Sequence, residues 1–325
     1  MSLMWYDIRI HQGVLRFASE HNWQVLSDHH MSSVPASDRV DGLIVLWGPE
    51  DEARERLLSR HASVPSVELG NYHSEFQVPR VLPDNRQVGR VAADSLLRRG
   101  YTNLAIFEFE RFWFGDLRRE GFAEELAEAG ITPMMVRWTG PIGGAAARRQ
   151  RQEWISQQLA ALPRPLGAFL VQDREAADLL EVCREDGIGV PEEIAVIGVN
   201  NDPLICPYTA VPLSSVDPAW EEIGYQAAGL LYRQMEGERV EPAPRFLPPA
   251  GVVERQSTDT LAVADLRVAR ALRYVRDHHD EPLSVAEVAA AVSTPVRTLQ
   301  WAFQRHLGRG IKEELVRWRI DKVKE

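Results

Sequence analysis

Short β-rich runs and helical patterns take turns along most of this chain, and that alternation restricts its fold more than any other feature. The runs read WQVLS, VDGLIVLWG, VPSVELG, NLAIFEF, PMMVRW, LGAFLVQD and IAVIGVNN. Between them lie PEDEARERLLSRHA, NRQVGRVAADSLLRRG, FGDLRREGFAEELAEAG and DREAADLLEVCREDG. In NRQVGRVAADSLLRRG, Val88, Val91, Ala92, Leu96 and Leu97 share one face at helical spacing. Gly100 and Gly130 stand where two of the helices should close. Strand, helix and strand in repetition predict parallel sheets covered by helices on both faces. Roughly 250 residues of this pattern call for one large sheet or two doubly wound lobes.

The texture changes near residue 240. Pro242, Pro244, Pro248 and Pro249 argue against a helix there, and GVVERQST reads as a last strand. STDTLAVAD is a short polar connector. From Asp265 onward the pattern is helical throughout: DLRVARALRYVRDHH, SVAEVAAAV, PVRTLQWAFQRHL and IKEELVRWRIDKVKE. The expected division is an α/β body over 1–255, a linker over 256–264 and a small all-α domain over 265–325. Charge divides at the same place. Residues 265–325 carry 12 Lys and Arg against 9 Asp and Glu, a net of +3, which leaves −13 of the total −10 on the body. The tail is the part suited to a polyanion.

Composition adds limits. Cys183 and Cys206 have no metal-ligand spacing and read as buried thiols of a reducing compartment. No apolar run approaches the ~20 residues of a membrane span, and no basic-then-apolar signal opens the chain. The expected address is cytoplasmic, with no membrane partner.

The stretch SVAEVAAAVSTPVRTLQWAFQRHLG reads as two helices around a tight turn. Ser284 and Glu287 have capping-box spacing. Pro295 suits a first helical position. Leu299, Phe303 and Leu307 form an apolar stripe, which leaves Arg297, Thr298, Gln300, Trp301 and Arg305 for another face. An Arg- and Gln-bearing helix can enter the major groove and hydrogen-bond base edges. A small bundle with a solvated polar face is the alternative on pattern alone.

The segment ALRYVRDHHDEPLSVAEVAAAVSTPVRTLQWAFQRHLGRGIKEELVRWRIDKVKE resembles the start of an AraC-family DNA-binding domain. The resemblance implies a first helix-turn-helix and a linking helix, with Pro295 and Val296 where that family often has Ser-Arg. Similarly, VLPDNRQVGRVAADSLLRRGYTNLAIF, LRREGFAEELAEAG and the run from GAFLVQDREA through IAVIGVNND to PLSSVDP resemble the effector domain of LacI/GalR-type repressors. That resemblance covers about residues 10–255 and implies a two-lobed, periplasmic-binding-protein-like body of doubly wound parallel sheets. The fusion of the two is similar to the XylR-type family of xylose operon regulators. It implies an apolar first strand ahead of DIRIHQGVLRFASEHN, where only MSLMWY stands, so that strand is expected to be shortened or absent. The leading MSL reads as an expression leader, and the tail is expected to hold only the first half of its family's reader.

Polar groups gather at the carboxyl ends of the predicted strands: Asp84 and Asn85, Gln172 and Asp173, Asn200, Asn201 and Asp202. Ligands of open α/β sheets bind there. A sugar needs many directed hydrogen bonds and a flat apolar wall. Phe109, Phe112, Trp113 and Phe114 follow NLAIF, and Arg118 comes within a helical turn. The resemblance puts Arg118, Asp173 and Asn200 where the family contacts sugar, with Gln172 in place of Asn and Asn200 in place of Asp. Tyr6, Asp7 and Arg9 are what the first lobe's leading edge offers. Plainer readings stand beside these. Asp84–Asn85 can cap the next helix, Asp173 can cap its own, and residues 200–202 can be a turn before Pro203. Phe112 and Trp113 can be core or dimer contact, and Arg118 a surface charge.

Nothing points to catalysis: no GxSxG, Walker or HExxH pattern occurs. GPIGG, residues 140–144, lacks the Lys-Ser/Thr of a phosphate loop and reads as a plain loop. His29–His30 and His278–His279 are adjacent pairs whose side chains diverge, so no metal is expected. The expected protein is a sugar-responsive transcription regulator without cofactor. Its partners are double-stranded DNA and a small sugar, xylose or another pentose. The sugar is expected to bridge the lobes and stabilise a closed form, and a homodimer to reposition the tails. A periplasmic-type sugar-binding transport component, or a regulator that has lost its effector, stays open.

Overall fold

Parallel strands cannot be joined by a hairpin, so each apolar run must hand over to a helix before the chain returns to the sheet. The computed structural model follows this rule over much of its α/β part, although Ile194–Val199 and Ser214–Asp217 pair in parallel across a helix-free connection. It describes residues 2–3, 7–26, 40–46, 63–70, 78–260, 262–263, 265–278 and 282–316. In chain order the elements are β1 (Ser2–Leu3), α1 (Ile8–Glu20), β2 (Leu43–Leu46), β3 (Ser66–Glu68), β4 (Arg80–Pro83), α2 (Asn85–Arg98), β5 (Asn103–Glu108) and α3 (Trp113–Glu128). Then come β6 (Met134–Arg137), α4 (Gly144–Ala161), β7 (Leu166–Leu170), α5 (Asp173–Glu185), β8 (Ile194–Val199), β9 (Ser214–Asp217), α6 (Trp220–Met235), β10 (Pro244–Leu247) and β11 (Gly251–Val253). A 3-10 turn (Gln256–Thr258) leads to α7 (Leu266–Asp277), α8 (Val285–Ala291) and α9 (Val296–Leu307). Two compact units result, 1–88 with 217–251 and 89–216 with 252–325.

The first unit holds a sheet of order β1-β2-β3-β4-β10. Ser2 and Leu3 pair in parallel with Val45 and Leu46, so the opening strand is present in short form and includes part of the MSL stretch. The proline-rich segment yields an unforeseen strand. Pro244–Leu247 pairs with Arg80–Pro83 next to β4. Proline is tolerated at the first residue of an edge strand, where its missing N–H breaks no ladder. No strand forms over residues 23–26 of WQVLS. The predicted helix over 49–62 lies outside the described residues, as do Tyr6, His29, His30, His279 and 317–325. Core residues Ile10, Val14 and Phe17 of α1 meet Ile223, Ala227 and Leu231 of α6 over Ile44, Val67 and Val81 of the sheet. The helices touch backbone to backbone. A Cβ on Gly13 would come within 1.9 Å of the Glu221 carbonyl oxygen, and one on Gly224 within 2.1 Å of that of Ile10.

The second unit holds a sheet of order β11-β9-β8-β7-β5-β6. The pairs β5–β6, β5–β7, β7–β8 and β8–β9 are parallel. β7 and β8 are buried along their whole length, as helices on both faces require. Phe122 of α3 stacks on Phe169 of β7 with centroids 4.5 Å apart. After β5 the chain steps outward to β6, then returns to lay β7 on the other side of β5. That reversal opens a crevice at the carboxyl ends of β5 and β7.

The tail helices belong to this unit. Val268, Leu272, Val275, Val288, Leu299, Ala302, Phe303, Ile311 and Leu315 make their own core, with Leu307 packed against it. Ser284 and Glu287 form the expected capping box. Pro295 is the N-cap of α9 and not its first residue: its φ of −58° suits a helix, but its ψ of 138° leaves the helical range. Residues 311–316 are again helical.

Gly224→Ala forces a methyl group into the Ile10 carbonyl and is expected to cost about 1–3 kcal/mol. The check is a lowered midpoint for loss of helical signal in urea. Gly310→Ala, where nothing lies within 4 Å of the added carbon, should leave the midpoint in place.

Candidate functional site

The crevice predicted by strand order is where the polar residues converge. α3 begins beyond β5 and carries Arg118; α5 begins beyond β7 with Asp173 as its first residue. Arg118 is 2% exposed, which removes the surface-charge reading. Its Nη1 donates to the Val171 carbonyl at 2.6 Å, and Nη1 and Nη2 both reach Asn200 Oδ1 at 3.3 Å. Burial pushes its pKa down to about 9, against the pull of the Asp173 and Glu175 carboxylates. The guanidinium lies 4.7 Å from the centroid of Phe114, one turn earlier in α3.

Asp173 is 1% exposed. Its Oδ2 accepts the Asp202 N–H at 2.8 Å and its Oδ1 accepts the Ser215 hydroxyl at 2.6 Å. Burial raises its pKa to about 6, opposed by those hydrogen bonds and by one from Cys206. The capping reading of Asp173 therefore fails. Gln172 is the N-cap, without a side-chain cap bond, and the Asp173 carboxylate turns towards the loop after β8. Gly198 makes the seat: a Cβ there would stand 2.3 Å from Asp173 Oδ1. Gln172 is half-buried, and its Nε2 has no partner among the described residues.

Asn200 and Asn201 hold φ of 113° and 50°. Asn accepts such angles more readily than most residues, and the turn aims the two carboxamides differently. Asn200 faces Arg118; Asn201 Oδ1 accepts from Arg255 Nη2 at 2.7 Å, and its N–H donates to Ser215 Oγ at 2.9 Å. The Asp202 carboxylate is taken up locally by the Leu204 N–H at 2.8 Å. The segment is thus a turn and a polar wall at once.

The other candidates divide. Asp84 Oδ1 accepts the Gln87 N–H at 2.9 Å, the cap bond of α2, so its plainer reading holds. Asn85 beside it is buried, and both lie in the first unit. Asp7 caps α1 through the Arg9 N–H at 2.9 Å and pairs with the Arg9 guanidinium at 2.7 Å. Phe112 is the N-cap residue of α3 and stacks on Phe114 at 5.1 Å; Trp113 meets Phe114 edge to face at 5.7 Å. The aromatic in touch with Arg118 is Phe114, at the i to i+4 spacing that was available in the sequence.

Glu175, Ser215 and Arg255 were not foreseen. Glu175 Oε1 accepts the N–H groups of Phe109 at 3.0 Å and Glu110 at 2.8 Å. Its Oε2 is buried with no hydrogen-bond partner among the described residues, and burial raises its pKa to about 7. Asp173-x-Glu175 at a helix start was a usable signal. Ser215 lay within the quoted PLSSVDP. Nothing local marked Arg255, whose carboxamide partner is 54 residues away.

On α9, Arg297, Gln300, Trp301 and Arg305 are exposed and Thr298 half-buried, opposite Leu299, Ala302 and Phe303. The Arg305 guanidinium sits 5.0 Å from the Trp301 ring centroid. His278 stacks on Tyr274 and bonds its carbonyl at 3.0 Å. Among the described residues no group of three or more His, Cys, Asp or Glu suits a metal ion, and no helix is long and apolar enough to cross a membrane. Cys183 and Cys206 are buried and free.

These buried donors and acceptors beside an aromatic ring suit a small polyhydroxyl compound, and comparison with known proteins agrees. Periplasmic binding protein-like domains match residues 93–258, about half of the chain. The chain belongs to that family. Periplasmic binding proteins and the sugar-binding domain of the LacI family also match residues 15–140. The xylose operon regulatory protein of Haemophilus influenzae is 26% identical over 98% of this chain and 84% of its own. That of Escherichia coli K12 is 28% identical over 98% of this chain and 83% of its own. A solved structure of the xylose-binding transcription activator xylR is 26% identical, with a TM-score of 0.72 over 99% of this chain and 85% of that one. The α/β periplasmic-binding-protein-like fold with parallel sheets is therefore shared by these relatives.

Glu175 makes the site's stability depend on pH. Near pH 4.5, the ordinary value for a glutamate, the unfolded chain begins to lose the proton that the folded protein keeps until about pH 7. Stability therefore falls as pH rises through that window, by up to about 3 kcal/mol. Glu175→Gln should remove the upper part of the fall, leaving Asp173 to act at lower pH. Urea midpoints from pH 4 to 8 check this; an unchanged slope between pH 6 and 7 would refute it.

Proposed function

We propose that the chain is a sugar-responsive transcription regulator of the cytoplasm whose effector is D-xylose or another pentose. The observation that carries this reading is that the relatives described as xylose operon regulators align over 98% of the chain, α/β units and tail helices together. The geometry supplies the chemistry. Arg118, Asn200 and the Gln172 Nε2, which has no partner among the described residues, offer directed donors and acceptors for hydroxyl groups, and Phe114 offers an apolar face. Phe112, Trp113, Asp173, Asn201 and Asp202 complete the proposed set of the second unit, Asp173 and Asp202 chiefly as supports of the wall, and Asp84 and Asn85 remain candidates of the first unit on their own.

The tail helices act as an AraC-type reader in this proposal. Arg297, Thr298, Gln300, Trp301 and Arg305 would meet double-stranded DNA, with the basic tail in contact and the acidic body held off it. A homodimer would present two readers to two half-sites. Sugar alters DNA affinity only by its differential affinity for two states of the protein.

Calorimetric titration with D-xylose, L-arabinose and D-ribose tests the effector. Heat and a thermal shift with one pentose are expected. Arg118→Met, which keeps length but loses the donors, should weaken that binding by about 10-fold or more. Absence of heat and shift with every sugar would favour a regulator without an effector. For the tail, fluorescence anisotropy with operon-upstream duplex should show Arg297→Ala weakening binding and, if the contact is to phosphate, lowering the salt slope by about one. Equal affinity and slope would remove α9 as the reader.

A further inference from the structure

We infer that Arg255, with the Gln256–Thr258 turn behind it, is the positioning element that couples the polar cluster to the tail helices. The inference rests on the reading of the cluster as effector site and of the tail as DNA reader. It goes beyond that reading by naming the residue that connects them.

Arg255 lies just beyond β11 and does not belong to the cluster around Arg118. Its planar guanidinium bridges two separate loops. Nη2 donates to Asn201 Oδ1 at 2.7 Å and Nη1 to the Leu213 carbonyl at 2.9 Å. Asn201 follows Asn200, the partner of Arg118. The two residues share a strained turn, so a shift of one displaces the other. A guanidinium fork holds both acceptors in fixed relation, which a lysine cannot do.

From Arg255 onward hydrogen bonds link the turn to the described residues before α7. The Arg255 N–H donates to Ser214 Oγ at 2.8 Å, and Ser214 Oγ donates to the Arg255 carbonyl at 2.9 Å. The Thr258 hydroxyl also donates to Ser214 Oγ at 2.7 Å, which fills that oxygen's capacity of one donor and two acceptors. Ser257 Oγ donates to the Val196 carbonyl at 2.6 Å and accepts the Ser214 N–H at 2.8 Å. Ser257 and Thr258 are fully buried. The Thr258 carbonyl accepts Arg99 Nε at 2.8 Å, and the Arg99 carbonyl accepts the Ala262 N–H at 2.8 Å. Asp265 then caps α7 through the Arg267 N–H at 3.0 Å. A second tie, Arg273 Nη1 to Glu192 Oε1 at 2.8 Å, holds α7 farther along. Because buried hydrogen bonds are costly to leave unmade, the turn moves as a body with the loop that carries Asn200 and Asn201. The start of α7 follows it.

Arg255→Ala in the full chain tests this with two readouts. The first needs no ligand. Amide hydrogen exchange over residues 256–263 and the first turn of α7 should rise by about 10-fold or more, while β7 and α5 keep wild-type protection. The second is the coupling factor, the ratio of DNA affinities with and without the pentose that binds the wild type. It should fall to less than about a third of the wild-type factor, with sugar affinity within about threefold of wild type. Arg255→Lys should restore folding stability without restoring the coupling. A wild-type coupling factor in Arg255→Ala, or unchanged exchange over 256–263, overturns the inference. A wild-type chain that binds no sugar defeats the functional reading instead, and the exchange experiment still decides whether Arg255 ties the turn to the Asn201 loop.

Discussion

A guanidinium shut away from water has to be supplied with acceptors by the protein, and meeting that demand at Arg118 arranges the whole carboxyl edge of the second sheet. The Val171 carbonyl, beyond β7, takes one donor at 2.6 Å, and Asn200, beyond β8, takes the longer contacts at 3.3 Å. Loops from different strands are thereby drawn to one cation. Two buried carboxylates, Asp173 and Glu175, favour the charge there, while their own burial works against their ionisation. A buried charge of this kind gains little stability for its desolvation, which is an argument for a role in recognition. The short bond to Val171 anchors the side chain, and the long ones to Asn200 are those a hydroxyl group can replace without stranding the charge.

The same edge explains the crowding around Asp173. Its carboxylate reaches across to Ser215 and the Asp202 N–H only because Gly198 leaves room beneath it. Asn201, held by Arg255, ties that edge to the segment leading into the tail. The acidic body and the basic tail are thus separate in charge but continuous in hydrogen bonding. That combination suits the proposed sensor joined to a nucleic-acid reader, because repulsion would keep the body off a polyanion while hydrogen-bonded contact would carry the signal.

Much of this was legible in the chain. Repeated strand–helix alternation called for parallel sheets, and Ser284 with Glu287 announced the start of α8. The clustering of Arg118, Asp173 and Asn200 was also within reach, because Asp173 and Asn200 stand just past strand ends and the family resemblance pointed to all three. The prolines rightly argued against a helix but did not announce β10, because a sheet edge accepts proline at its first residue. Asp84 was read as a site residue, and it also caps a helix. At a helix start the two roles use the same side chain, and spacing alone does not separate them. Phe114 was named with its aromatic neighbours but Phe112 and Trp113 were singled out, since helical phase decides that the Phe114 ring lies over Arg118.

The sequence by itself determined most element types, the sheet class and the division of charge, because periodicity, capping and composition are local properties. Only the tertiary structure decided which polar groups are buried, which of them face each other and how the tail is tied on. Burial of Glu175, the bridge from Arg255 to Asn201 and the reach of Arg99 to Thr258 depend on residues far apart in the chain. Such pairings are set by how helices and strands pack around a reversal in strand order, and no stretch of local sequence encodes that.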